Sequence, residues 1–279
     1  MIDVQNVLER IADDAGRGEV VFPTHAQIAL RVQRLLDDPD CSTEALCRLI
    51  AAEPVLATRV LAIANSIAYN PGGRRIEELK PALTRIGFAA LRAIAAAVVI
   101  RQMQSMSTVL EHRELAARLW EHTAHVAALA RVLARHITHQ NPDTAFFAGI
   151  VHECGNFYLI ARAGEFPELF ASDLEILHGD GEARIGRAVL AALEVPEPVR
   201  AASEVLWAGY LAMPPHSLGD TLLLADEISP VESPLDALTG MSRRGMTAEI
   251  DLLIDDETLA DILAESADEV ADLCAVLNG

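Results

Sequence analysis

Apolar residues recur along most of this chain at spacings of three and four, the period of a helix with one face turned to a core. Val4, Val7, Leu8 and Ile11 predict a short first helix, and Phe22-Pro23 breaks the chain after it. Ile28, Val32, Leu35 and Leu36 predict a second helix that stops at Asp38-Pro39. Ser42 or Thr43 can cap a third, whose early Glu44 suits the positive end of the helix dipole. Pro54 fits the first turn of a fourth, with Leu56, Val60, Leu61 and Ala64 on its buried face. Asn70-Pro71-Gly72-Gly73 is a strong turn signal. Ile76 to about Met103 then reads as two helices jointed near Gly87, the second so poor in polar residues that it belongs in the centre of the fold.

The second half starts near Glu111 with a long helix traced by Leu115, Leu119, Val126, Leu129, Leu133 and Ile137. After the turn at Asn141-Pro142-Asp143 comes a helix from Thr144 to about Ala161, apolar on nearly every side until His152. Pro196 and Pro198 mark the start of a helix over Val199 to Gly209, Met213-Pro214-Pro215-His216 is a loop, and Leu218 to Ile228 is another apolar helix. Ser229 to Thr247 reads as an exposed connection. From Asp255 an acidic amphipathic helix turns Leu259, Ile262, Leu263, Val270, Leu273 and Leu277 inward and its carboxylates outward. No segment alternates convincingly as a strand, so the pattern predicts an all-α fold: a compact helical lobe over 1–105 and a second helical lobe over 106–279.

Composition sharpens this picture. Apolar residues make up 51% and aromatic residues only 4%, with alanine and leucine in most positions, which favours close-packed helices. The formal charge of −19 and the absence of a basic stripe argue against a nucleic-acid partner. Ala89 to Ile100 is too short to span a bilayer and contains Arg92, so no membrane span is expected. Cys41, Cys47, Cys154 and Cys274 show no CxxC spacing and read as free thiols of a cytoplasmic protein.

Four polar residues interrupt the apolar faces. His122 lies on the stripe between Leu119 and Val126, His152-Glu153 ends the most apolar helix, and Asp226 follows Leu222 by four residues on an apolar face. A buried imidazole or carboxylate needs a partner, and nitrogen and oxygen donors of this kind suit a divalent zinc, iron or manganese ion. The plainer readings are a satisfied core histidine for His122, a helix-end ion pair for Asp226 and a solvated acid for Glu153. The zinc-protease helix is excluded, because Asn156 stands where its second histidine is required. His125 lies beside the stripe, and His112, His136, His139, His178 and His216 are expected at the surface or in loops.

The chain resembles the HDOD family, a bacterial signalling domain related to the HD-type metal-dependent phosphohydrolases. The resemblance rests on Phe22-Pro23, Leu35-Leu36-Asp37-Asp38-Pro39, Glu53-Pro54-Val55-Leu56-Ala57, Ala64-Asn65-Ser66-Ile67-Ala68-Tyr69, Ile76-Glu77-Glu78-Leu79 and Arg85-Ile86-Gly87 in the first half. In the second it rests on Leu119-Trp120-Glu121-His122, the run Ala145 to Glu153 and Leu224-Ala225-Asp226. It implies an N-terminal helical lobe packed on an HD-like lobe, with the four HD metal positions at His122, His152, Glu153 and Asp226. The chain departs from the hydrolase pattern at Glu153, which stands for an aspartate and is one methylene longer. It also reads Ser203-Glu204-Val205-Leu206-Trp207 where relatives often carry a histidine pair. The resemblance therefore implies a non-catalytic output module with a vestigial metal set, no catalytic residue and no certain cofactor, a single divalent ion being the one candidate. Its partners would be signalling proteins or a small ligand. The alternative is a one-metal phosphohydrolase acting on a nucleotide or phosphoester.

Overall fold

The computed structural model describes residues 4–17, 20, 22, 26–165, 180–212, 214–235 and 256–278. Its described elements are helical, with no strand among them: α1 (Val4–Gly16), α2 (Ala26–Asp37), α3 (Thr43–Ala51), α4 (Pro54–Asn65), α5 (Leu79–Met103), α6 (Leu110–His136), α7 (Pro142–Val151), α8 (Cys154–Arg162), α9 (Asp180–Ala192), α10 (Glu197–Ala208), α11 (Leu218–Glu227), α12 (Asp256–Glu265) and α13 (Ala267–Asn278). The helix ends follow local chemistry. Ser42 accepts from the Ala45 N–H and caps α3, while Asn141 accepts from the Thr144 N–H and caps α7. Ser217 and Asp220 form a reciprocal capping box on α11. Asp220 is buried, yet hydrogen bonds from Ser217, His216 and Ala212 overcome the desolvation that opposes its charge and hold its carboxyl below the ordinary range.

α5 is the centre of the molecule and packs against α2, α3, α4, α7 and α8. Gly87, at φ 74° and ψ 180°, breaks it into two segments where the joint is expected, in a conformation that glycine adopts without a Cβ penalty. Every residue from Ala93 to Ile100 is buried. By length and composition α5 could cross a membrane, but 67% of its apolar window is buried in this fold, as suits a core helix. The tightest partner of α6 is α7, and a Cβ placed on Gly149 would fall 2.3 Å from the Ala127 Cα, so these two helices meet backbone to backbone. One buried apolar cluster runs from Val7 and Ile11 through α5 and α6 to Leu273 and Leu277, crossing the loop between Met103 and Leu110.

Three expectations change. The helix expected over Thr144 to Ala161 is two, because His152 and Glu153 form a turn between α7 and α8. The terminal acidic helix is also two, divided at Ser266, and not all of its acids face water. Glu269 turns inward to pair with Arg131 at 3.4 Å and Arg135 at 2.6 Å, and Asp272 accepts from the Ile67 N–H, so α13 docks on α6 and α4 by charge as well as by Leu273 and Leu277. His112 is buried rather than exposed, with its Nδ1 3.2 Å from the Ser107 hydroxyl. Pro23, His178, Met213, Arg243, Arg244, Asp255 and the expected connection beyond residue 235 lie outside the described residues.

Candidate metal centre

Two helices and one turn bring the sequence-selected residues together. α6 carries His122, the α7–α8 turn carries His152 and Glu153, and α11 carries Asp226 near its last turn. His122 Nε2 lies 3.3 Å from His152 Nε2 and 3.1 Å from Asp226 Oδ1, while His152 Nε2 lies 3.9 Å from the same Oδ1. Among the described residues, one ligand atom from each of these three lies within 4.8 Å of the others. Glu153 stands slightly apart, its Oε1 3.9 Å and 4.0 Å from the two Nε2 atoms. His152 and Glu153 are 4% and 6% exposed and His122 is 2% exposed.

The outer hydrogen bonds decide how the two rings are used. His122 Nδ1 lies 2.7 Å from the Val231 carbonyl and His152 Nδ1 lies 2.6 Å from the Gly149 carbonyl. A carbonyl only accepts, so each Nδ1 carries the proton and donates, and the two Nε2 lone pairs face one another. The Val231 carbonyl is itself held by a 2.9 Å bond from the Ser229 hydroxyl, which fixes the turn after α11 over His122. Two lone pairs at 3.3 Å repel unless a cation, a proton or a metal ion, lies between them.

The metal-free centre has such a proton. Burial alone would disfavour a charged His122, but the hydrogen bond and negative charge of Asp226, with Glu153 and the Val231 carbonyl, outweigh it and push the imidazole up to about 9. A histidine raised above its ordinary 6.5 stabilises the fold in full below that value and loses the contribution as pH rises towards 9. The chelator-treated protein is therefore expected to lose stability between pH 6.5 and 9, measured by urea unfolding, with His122→Gln showing a much flatter profile across the same range. A flat profile in the unmodified protein would show that His122 is neutral throughout.

The donor set also fits a metal ion. Ligand atoms bound tetrahedrally at about 2.0–2.1 Å from one centre lie about 3.4 Å apart. The three observed edges are 3.1, 3.3 and 3.9 Å. An ion here would be held by His122 Nε2, His152 Nε2 and Asp226 Oδ1, and would supply Lewis acidity when bound. Glu153 is the fourth neighbour, but Asn156 Nδ2 donates to its Oε2 at 2.5 Å, which anchors the longer side chain away from the trio. This burial overturns the reading of Glu153 as a solvated acid.

Of the other histidines, His136, His139 and His216 are exposed, and the His125 Nδ1 contacts the Glu121 carbonyl of its own helix. Sequence reasoning missed the parts that orient the set: Asn156, the carbonyls of Gly149 and Val231, and the buried Glu227 beside Asp226. The only sequence signal for Asn156 is its position one helical turn after Glu153, and nothing in the side-chain pattern marks a carbonyl.

The comparisons with known proteins agree with this architecture. The family model for the HDOD domain matches residues 22–201, about two thirds of the chain. The chain belongs to the HDOD family. The match contains His122, His152 and Glu153 and ends before Asp226. No curated protein matches this HDOD chain. Among solved structures it is similar to one from Shewanella amazonensis provisionally described as a metal-dependent phosphohydrolase, at 24% identity and TM-score 0.74, covering 99% of this chain and 100% of that one. It is also similar to an HDOD domain protein of unknown function from Geobacter sulfurreducens, at 20% identity and TM-score 0.61, covering 99% and 98%. A third, from Marinobacter aquaeolei and provisionally described as a signal transduction protein, is 16% identical with TM-score 0.57, covering all of this chain and 67% of that one. Identities this low speak to a shared helical fold.

Proposed function

We propose that this HDOD protein is a non-catalytic bacterial output module, which acts by binding signalling proteins or a small ligand and uses the centre at His122, His152 and Asp226 to hold its helices in register. The observation that carries this reading is the sealing of the centre. A hydrolytic metal site needs an open coordination position for water and a path for the substrate. Here His122, His152 and Glu153 are each less than 7% exposed, the Asp226 side chain keeps only 10% exposure, and the Val231 carbonyl at the turn after α11 is bound by the His122 ring. A two-metal mechanism needs donors for a second ion, and His122, His152 and Asp226 form the one ligand group found among the described residues. One cation in that place ties α6, the α7–α8 turn and α11 together, which is a structural use of the donors.

The test is turnover. Protein loaded with zinc, manganese or iron(II) is expected to release no product above background from cyclic dinucleotides, nucleotides or a generic phosphodiester. Hydrolysis that depends on added metal and disappears in His152→Ala would overturn the proposal in favour of a one-metal phosphohydrolase.

A further inference from the structure

A cavity of about 240 Å³ lies against Trp120, where α4 and α5 meet α6 and α13. Its apolar walls include Ile63, Ile94, Val98, Trp120 and Leu277, each 5% exposed or less. Its polar side is unusual in a chain with 41 acids against 22 bases. Arg59 and Arg101 both line it, and among the described residues no carboxylate pairs with either one. Arg59 donates to the Val276 carbonyl, while Arg101 donates to Gln104 Oε1 at 2.9 Å and reaches the Asn278 carbonyl at 3.5 Å. Trp120 Nε1 donates to the Leu277 carbonyl at 3.3 Å, and the Arg101 guanidinium lies over its ring at 5.3 Å.

These bonds cap the last carbonyls of α13, yet leave most of the guanidinium N–H groups without an acceptor among the described residues, since each guanidinium offers five. Burial lowers the proton affinity of both side chains, and Arg59 adds repulsion to Arg101, so the cavity gathers positive charge with no carboxylate partner among the described residues. A second group points the same way. Gln102 lines the cavity, and its Oε1 is buried with no hydrogen-bond donor. A buried acceptor of this kind costs stability unless a donor arrives.

We infer that this cavity is a binding site for a small amphipathic carboxylate, whose anionic head pairs with Arg59 and Arg101, whose apolar body lies against Ile63, Ile94 and Trp120, and whose hydroxyl or amide N–H, where it has one, meets Gln102. Size agrees with this class. A dry cavity of about 150 Å³ accepts a benzene ring, so the observed volume takes an aryl or short alkyl body with its head group. Guanidinium suits a carboxylate because its planar fork matches two oxygens at once. Val55, 50% exposed, lies at the cavity and marks an open side. The site joins helices from both halves of the chain, so an occupant would bear on how α5 and α6 sit together. It does not depend on the metal centre, and its test is run on metal-free protein.

Trp120 reports on the site directly. In a Trp207→Phe background it is the sole tryptophan, because the chain has two. Octanoate and 4-phenylbutyrate are the probes, with 1-octanol and 4-phenylbutanol as their neutral counterparts. Saturable quenching of Trp120 is expected with the acids, and about ten-fold or weaker binding with the alcohols, the loss that goes with one charge-assisted hydrogen bond. Arg59→Gln is expected to weaken the acids by a similar factor and leave the alcohols unchanged. Ala97→Phe, which places a ring in the cavity, should abolish both, with circular dichroism confirming that each variant is folded. Equal affinity for acids and alcohols, or no saturable binding of the acids by the folded protein, would overturn the inference.

Discussion

Gly149→Ala is expected to destabilise the fold by about 3 kcal/mol or more, at the upper end of what overpacking costs. The added Cβ would meet the Ala127 Cα at 2.3 Å and the Ala127 nitrogen at 2.8 Å, and neither backbone atom can turn aside as a side chain could. Either α7 moves off α6 or both helices bend. The site must feel the same displacement, since Gly149 supplies the carbonyl that orients His152 and α6 carries His122. Urea unfolding should show a lowered midpoint at an unchanged slope, with Gly72→Ala as the control because nothing lies within 4 Å of its new methyl. A Gly149→Ala protein as stable as its parent would mean that the two helices do not meet as closely as described.

Asp226→Ala is the second large effect. It takes the nearest carboxylate, 3.1 Å away, from a buried imidazole that holds a proton. Removing one partner of a buried pair costs about 3–5 kcal/mol when the other stays charged. His122 has a way out, because it can lose its proton, so the cost must depend on pH. It is expected near the full value at pH 6, where keeping the imidazole neutral would itself cost stability, and much smaller near pH 9, where the parent has begun to lose the same proton. Unfolding of metal-free parent and variant at the two pH values measures the difference. A penalty that does not change with pH would show that Asp226 acts through packing alone.

Much of the fold is legible because its helices are amphipathic. The stripe of Val126, Leu129 and Leu133 gives α6 its buried face, and Gly87 breaks α5 where the apolar run has a residue free to leave the helix. His122, His152 and Asp226 stand out because each is polar on an apolar face. The turn at His152-Glu153 was hidden for the opposite reason. The residues from Ala145 to Ala161 are all buried, so periodicity contains no face whose phase could slip and reveal a break. Glu269 was misplaced because an acid on an acidic helix looks solvated until Arg131 and Arg135, more than a hundred residues earlier, are seen beneath it. His112 is in phase with the α6 stripe, three residues before Leu115 and seven before Leu119, but it stands ahead of the first apolar residue of that stripe, among Glu111, Arg113 and Glu114. Long-range pairing of this kind leaves no local trace in a single sequence.

The proposed function rests on how the centre is closed. The chain keeps three donors, His122, His152 and Asp226, within 4.8 Å of one another, and it anchors Glu153 to Asn156 at the edge of the set. Counting bound ions tests this account most directly. Purified apo-protein titrated with zinc or manganese, then dialysed and measured by elemental analysis, should hold one ion per chain, with none retained by His122→Ala. Two ions per chain, or none in the unmodified protein, would contradict it.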